Sequence, residues 1–206
     1  ARDRLGSAIV GEAETEPESR IFVGALLESW GFPEVAAEIW ILVAASDHPA
    51  QEYARAHVTQ LAMRAGRTPL LLRLCAALAD KRPDDAAARF THVYLGFLLG
   101  QDSGRLLEEA KALLADQPDS PATAALLAFG FLREGDRDAA TRALAQADLV
   151  ALQQRPQSLL GALVLEYADP ARSRALAEAS GKFLRLPEEM ALYRAVIERL
   201  PKDQVQ

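Results

Sequence analysis

Residues 121–147 read PATAALLAFGFLREGDRDAATRALAQA, and this stretch decides the fold. Ser120 precedes Pro121, which is how a helix starts: the serine oxygen caps a free backbone N–H, and the proline, lacking one, costs nothing in the first turn. Helix-forming residues run to Glu134, Gly135-Asp136 makes a turn, and a second helical stretch with small residues at Ala140 and Ala147 follows. The unit is helix, turn, helix.

Outward from this unit the chain repeats the plan. Its 11 prolines stand at 17, 33, 49, 69, 83, 118, 121, 156, 170, 187 and 201, and many gaps are 14 to 20 residues, one helix plus a short connection. Thr68-Pro69 and Asp169-Pro170 repeat the Ser120-Pro121 signal and predict N-caps at Thr68, Ser120 and Asp169. Apolar residues at i, i+3, i+4 and i+7 predict helices near 18–30, 33–45, 49–65, 69–80, 84–99, 103–115, 121–134, 137–149, 156–168, 170–184 and 187–200. Composition agrees, with 40 Ala and 32 Leu against 15 Ile and Val together, which excludes a β-rich fold. The regular prolines exclude one long coiled coil.

The series is self-similar. A shift of 34 from the segment 90–118 sets Ala124 on Phe90, Leu127 on Val93, Phe131 on Phe97, Gly135-Asp136 on Gln101-Asp102 and Ala140 on Leu106. Backward shifts of 35 bring Gly66 and Leu71, then Gly24, Leu27, Gly31, Ala36 and Trp40, onto equivalent places. A compressed fifth unit contains Leu160, Gly161, Val164, Leu176 and Ala179. Gly24, Ala128 and Gly161 are small enough to let helix backbones approach.

These residues resemble the tetratricopeptide repeat, whose unit of 34 residues is two antiparallel helices. Pro121, Leu127, Ala128, Phe131, Gly135, Asp136, Ala140 and Ala147 carry the resemblance best. Tyr94 in a small-residue place, and Leu106 and Leu113 in place of alanines, depart from it. The resemblance implies an all-α, right-handed superhelix of about five antiparallel helix pairs, with units near 17–51, 52–86, 87–120, 121–153 and 154–186. An acidic segment 1–16 precedes them, and a tail 201–206 follows. The helix 187–200 serves as a cap, with Leu192, Val196 and Leu200 on one stripe and Glu188, Glu189, Arg194 and Glu198 outside it.

The resemblance also implies a functional surface, the outward face of each unit's first helix. It assigns to that face Ile21, Ala25 and Glu28, then Tyr53, Ala56, Gln60, Met63 and Arg64, then Thr91, Leu95, Leu98 and Leu99, and finally Ala125, Phe129, Leu132 and Arg133. An apolar groove of Met63, Leu95, Leu98, Leu99, Phe129 and Leu132, flanked by Tyr53, Gln60, Thr91, Arg64 and Arg133, suits an amphipathic helix or apolar segment with acidic flanks. No Asn occurs in the chain, so the carboxylate clamp that some family members build from Asn pairs is not expected. The competing reading is that the register is off by one, or that other helices of this chain fill the groove.

Chemistry-bearing patterns are few. His48, His57 and His92 lack metal-ligand spacing, and no phosphate loop or Ser-centred elbow is present. His57 and His92, 35 apart, are expected at equivalent places of adjacent units. Glu108-Glu109 and Glu188-Glu189 diverge along their helices, and Cys75 among leucines is expected to be buried and inert. A net charge of -6 disfavours nucleic acid, and no stretch is apolar enough to span a bilayer. The chain begins with Ala, which leaves room for a removed upstream segment; compartment is left open.

The expectation is a non-enzymatic scaffold without cofactor or metal that presents its groove to a protein or peptide. The alternatives are self-assembly into a homodimer that buries the groove, or a small-ligand or enzyme module on the same scaffold.

Overall fold

The computed structural model describes residues 17–201, so the acidic segment 1–16 and most of the tail lie outside the described residues. Among these, twelve helices occur and no strand: α1 Pro17–Ser29, α2 Pro33–Ala44, α3 Gln51–Ala65, α4 Thr68–Lys81, α5 Ala86–Leu98, α6 Ser103–Asp116, α7 Pro121–Arg133, α8 Arg137–Leu144, α9 Leu149–Leu152, α10 Ser158–Leu165, α11 Pro170–Ser180 and α12 Pro187–Arg199. They form consecutive antiparallel helix pairs, a helical-repeat arrangement.

The repeat is written in the backbone. Gly31, Gly66, Gly100 and Gly135 have positive φ, fall 35, 34 and 35 residues apart, and follow the first helix of each of four pairs. Only glycine adopts this left-handed conformation without a Cβ penalty. After each, the next N–H reaches back five residues: Phe32 to the Leu27 carbonyl, Arg67 to Ala62, Gln101 to Gly96 and Asp136 to Phe131, all at 2.8–3.0 Å. These bonds satisfy carbonyls that the helix end leaves free. The register therefore corrects the sequence alignment: Gly135 corresponds to Gly100, not Gln101, because the third pair has one extra turn residue before its cap Asp102. His57 corresponds to Thr91 rather than His92 for the same reason.

The chain divides into two compact units, one up to His92 and one from Val93. In the first, α2 packs against α1, α3 and α4. Gly24 makes room for the Trp40 ring: a methyl group on Gly24 would stand 2.9 Å from Trp40 Cε2. Thr68 does not cap. It is the first residue of α4 and fully buried, and the N-cap position falls to Arg67.

In the second unit α10 is central, packed against α7, α8, α9, α11 and α12. All of α10, and Ala122 to Gly130 of α7, are buried. Ser120 and Asp169 cap as their sequence predicts, accepting from Thr123 N–H at 3.3 Å and Arg172 N–H at 3.0 Å. The helix expected over 137–149 is interrupted. It ends at Leu144, Ala147 falls in a turn, and Asp148 caps the short α9. Glu189, placed outside the stripe of the last helix by sequence, is buried, because its carboxylate is bonded at both oxygens.

Candidate functional site

In the first unit an aromatic cluster lies along α3. The Tyr53 and His57 rings, one turn apart, stack at 5.7 Å with 12° between their planes. Trp40 of α2 meets both edge-on, at 5.9 Å from Tyr53 and 5.2 Å from His57. Such geometry is favourable for ring quadrupoles. His57 Nε2 also lies 2.6 Å from Glu28 Oε1 of α1. One imidazole is therefore met by a carboxylate at Nε2, by the Tyr53 ring stacked on it and by the Trp40 ring edge-on. The Trp40 indole N–H has no hydrogen-bond partner, since the surface it meets is the bare backbone of Gly24.

Tyr53 remains 61% exposed. It borders an open depression of about 700 Å³ with Glu52, Arg55, Ala56, His57, Thr59 and Gln60. Arg64 is exposed one turn beyond Gln60, and Met63 is half-buried. The assigned residues of α3 thus share one accessible face. In α1, Ala25 is exposed and Ile21 half-buried.

The other assigned residues have different surroundings. Thr91 is half-buried and spends its hydroxyl on the Ala87 carbonyl at 2.8 Å. Leu95 and Phe129 are core residues, 2% and 3% exposed, and Phe129 meets Phe97 edge-on at 5.9 Å. Ala125 is fully buried as well. Leu98, Leu99 and Leu132 are half-buried, while Arg133 is exposed with its guanidinium over the Gly100 turn. Of the six apolar positions, Leu95 and Phe129 are therefore buried and Met63, Leu98, Leu99 and Leu132 half-buried, with α7 buried from Ala122 to Gly130.

A carboxylate–imidazole pair is two members of a nucleophilic triad, whose third would have to meet the other ring nitrogen, Nδ1, in the plane of the ring. Among the described residues no group of three or more His, Cys, Asp or Glu side chains lies together as metal ligands would. Cys75 is buried, and burial pushes its thiol up to about 11, which keeps it protonated and unreactive. No described helix is long and apolar enough to cross a membrane. Sequence reasoning found Tyr53 and His57 but not their coupling through Trp40 and Glu28. The signal was Gly24, whose missing side chain leaves the space that Trp40 fills.

Fold and site together define a helical-repeat protein with an exposed, internally braced aromatic face. Comparison with protein-family models, curated proteins and solved structures finds no match to this chain.

Proposed function

We propose that the chain is a tetratricopeptide-like interaction module that binds a partner protein along the outward face of α3 and performs no chemistry. The observation that carries this reading is Tyr53: a large side chain mostly in water, yet held in one orientation by His57 and Trp40. Rigid aromatic residues are efficient anchors because little side-chain entropy remains to be lost on binding. Gln60 supplies a hydrogen-bonding amide and Arg64 a cation one turn further on. An apolar segment with an acidic residue beyond it has the matching chemistry.

The test is quantitative capture from source-cell extract with the wild-type chain and with Tyr53→Ser and Arg64→Glu variants. A protein retained by wild type and lost from both variants, which keep wild-type helicity, supports the reading. Identical capture by all three overturns it.

A further inference from the structure

The two ring nitrogens of His57 have different surroundings. Nε2 lies 2.6 Å from Glu28 Oε1, and a carboxylate can only accept, so Nε2 carries the hydrogen. In the neutral imidazole the other nitrogen, Nδ1, is then an acceptor whose lone pair lies in the ring plane. Among the described residues nothing donates to it. The only buried side-chain nitrogen or oxygen without a partner among those residues is Trp40 Nε1, so Nδ1 is open to water.

A partner cannot cover Tyr53 and leave His57 untouched. The two rings are stacked at 5.7 Å and border the same depression. A segment lying on them displaces the water at Nδ1, and an acceptor stripped of water without a donor in its place weakens binding. The chain itself does not fill the need at the ring. Tyr53 lies parallel to the imidazole and so does not meet an in-plane lone pair, and the Trp40 indole N–H donates to nothing.

Resting on the reading that α3 is the binding face, we propose that the partner donates a hydrogen bond to His57 Nδ1 and is released in acid. Protonation of the imidazole puts a hydrogen on Nδ1, and the acceptor becomes a second donor facing the partner's own. Glu28 accepts from Nε2 in either state, so the change falls on Nδ1. The titratable and charged groups around the ring are Glu28 from α1 and Tyr53 on α3, with Glu52 and Arg55 bordering the depression and paired at 3.0 Å. From α2 the ring meets Trp40, which does not titrate. Of these kinds of group only an imidazole changes charge between about pH 5 and 8. Arg64 is exposed about 10 Å further along the helix. The partner's pattern is therefore a donor over the stacked rings and a carboxylate about 10 Å beyond it.

The experiment uses the full chain and the protein that it retains from source-cell extract. Wild type is expected to bind that protein about tenfold or more weakly at about pH 5.5 than at about pH 8, with helicity unchanged. His57→Gln sets an amide N–H near the Nε2 position, within reach of Glu28, and leaves no acceptor at Nδ1. It is expected to bind at both pH values as weakly as wild type does in acid. His57→Asn, which sets a carbonyl near the Nδ1 position and does not titrate, is expected to lose the pH response. Two-bond nitrogen–proton NMR spectra of the full chain, labelled at histidine, check the tautomer without a substitution: hydrogen on Nε2 and none on Nδ1 at about pH 8. No protein retained at either pH overturns the binding reading and this proposal with it. Retention that needs Tyr53 yet ignores pH, or tightens in acid as a carboxylate on His57 would make it, overturns the hydrogen bond alone. So does a pH response that survives in His57→Gln, or a hydrogen found on Nδ1 at about pH 8.

Discussion

The Tyr94 hydroxyl donates to Glu189 Oε1 at 2.6 Å, joining residues 95 apart in sequence inside the second unit. The other carboxylate oxygen accepts from Arg185 N–H at 2.8 Å and Leu186 N–H at 2.9 Å, so the same group that holds Tyr94 also caps the start of α12. A buried carboxylate with every oxygen engaged is stable where a half-engaged one is costly. Tyr94→Phe removes one donor and leaves an oxygen unpaired. The expected loss is about 1.5–3 kcal/mol by urea unfolding, and a loss below about 0.5 kcal/mol contradicts the role assigned to the contact.

Tyr94 and Cys75 both predict weakening in alkali. Burial, then the neighbouring Glu189 charge and hydrogen bond, hold the Tyr94 hydroxyl well above its ordinary range. Burial and, to a smaller extent, Asp85 push the Cys75 thiol up to about 11 against the partial opposition of Arg55. Each group keeps its proton longer when folded than when unfolded, so stability is intact below the unfolded pKa and falls as pH rises past it. For Cys75 the fall begins near pH 9 and is complete near pH 11, on the order of 2–3 kcal/mol. Unfolding curves at pH 8 and 11 measure it. Cys75→Ala is expected to be less alkali-sensitive than wild type by that amount, and equal sensitivity refutes the assignment.

Three glycines separate three physical reasons for having one. At Gly130 a methyl group would meet the Phe97 and Leu107 side chains below 3.0 Å, so Gly130→Ala is expected to cost about 1–3 kcal/mol through overpacking, despite the better helix propensity of Ala. At Gly135 nothing is within 4 Å, but φ is +85°, so Gly135→Ala costs roughly 1–2 kcal/mol from the backbone alone. Gly104 has neither constraint and lies in the first turn of α6. Gly104→Ala is expected to be neutral or to stabilise by up to about 1 kcal/mol. Thermal melts of the three variants give the ranking, and a Gly104→Ala as costly as Gly130→Ala defeats it.

Most of the helix plan was legible because its punctuation is local. Proline, serine and aspartate act within four residues of where they stand, so Ser120-Pro121 and Asp169-Pro170 mark their helix starts correctly. Thr68 stands one place further inside its helix than Ser120 and Asp169 do, and the cap position there falls to Arg67. The one-residue difference between the third and fourth turns was hidden as well, since Asp102 and Asp136 align by side chain while Gly100 and Gly135 align by backbone. The face of α3 was legible, as Tyr53, Gln60 and Arg64 alternate with buried Ala54, Val58 and Ala62 at helical spacing. The surroundings of Leu95 and Phe129 were not. Phe129 lies on α7, which is apolar all round before Arg133 and has no outward side to read, and Leu95 lies past the polar residues Arg89, Thr91 and His92 of α5, in an apolar last turn.

That difference gives the sharpest substitution test. Phe129→Glu would put a carboxylate in the core beside Phe97, and Leu95→Glu would do the same on α5, with no partner for either charge. Each is expected to cost more than about 4 kcal/mol, enough to unfold a unit of ordinary stability. Tyr53→Glu changes a side chain already mostly in water and forfeits the stack on His57, so its cost is expected to stay below about 1.5 kcal/mol. Circular dichroism melts read all three. If Leu95→Glu and Phe129→Glu melt like wild type, these residues line an open groove after all; if Tyr53→Glu unfolds the chain, the exposed face of α3 is a structural surface rather than a place for a partner.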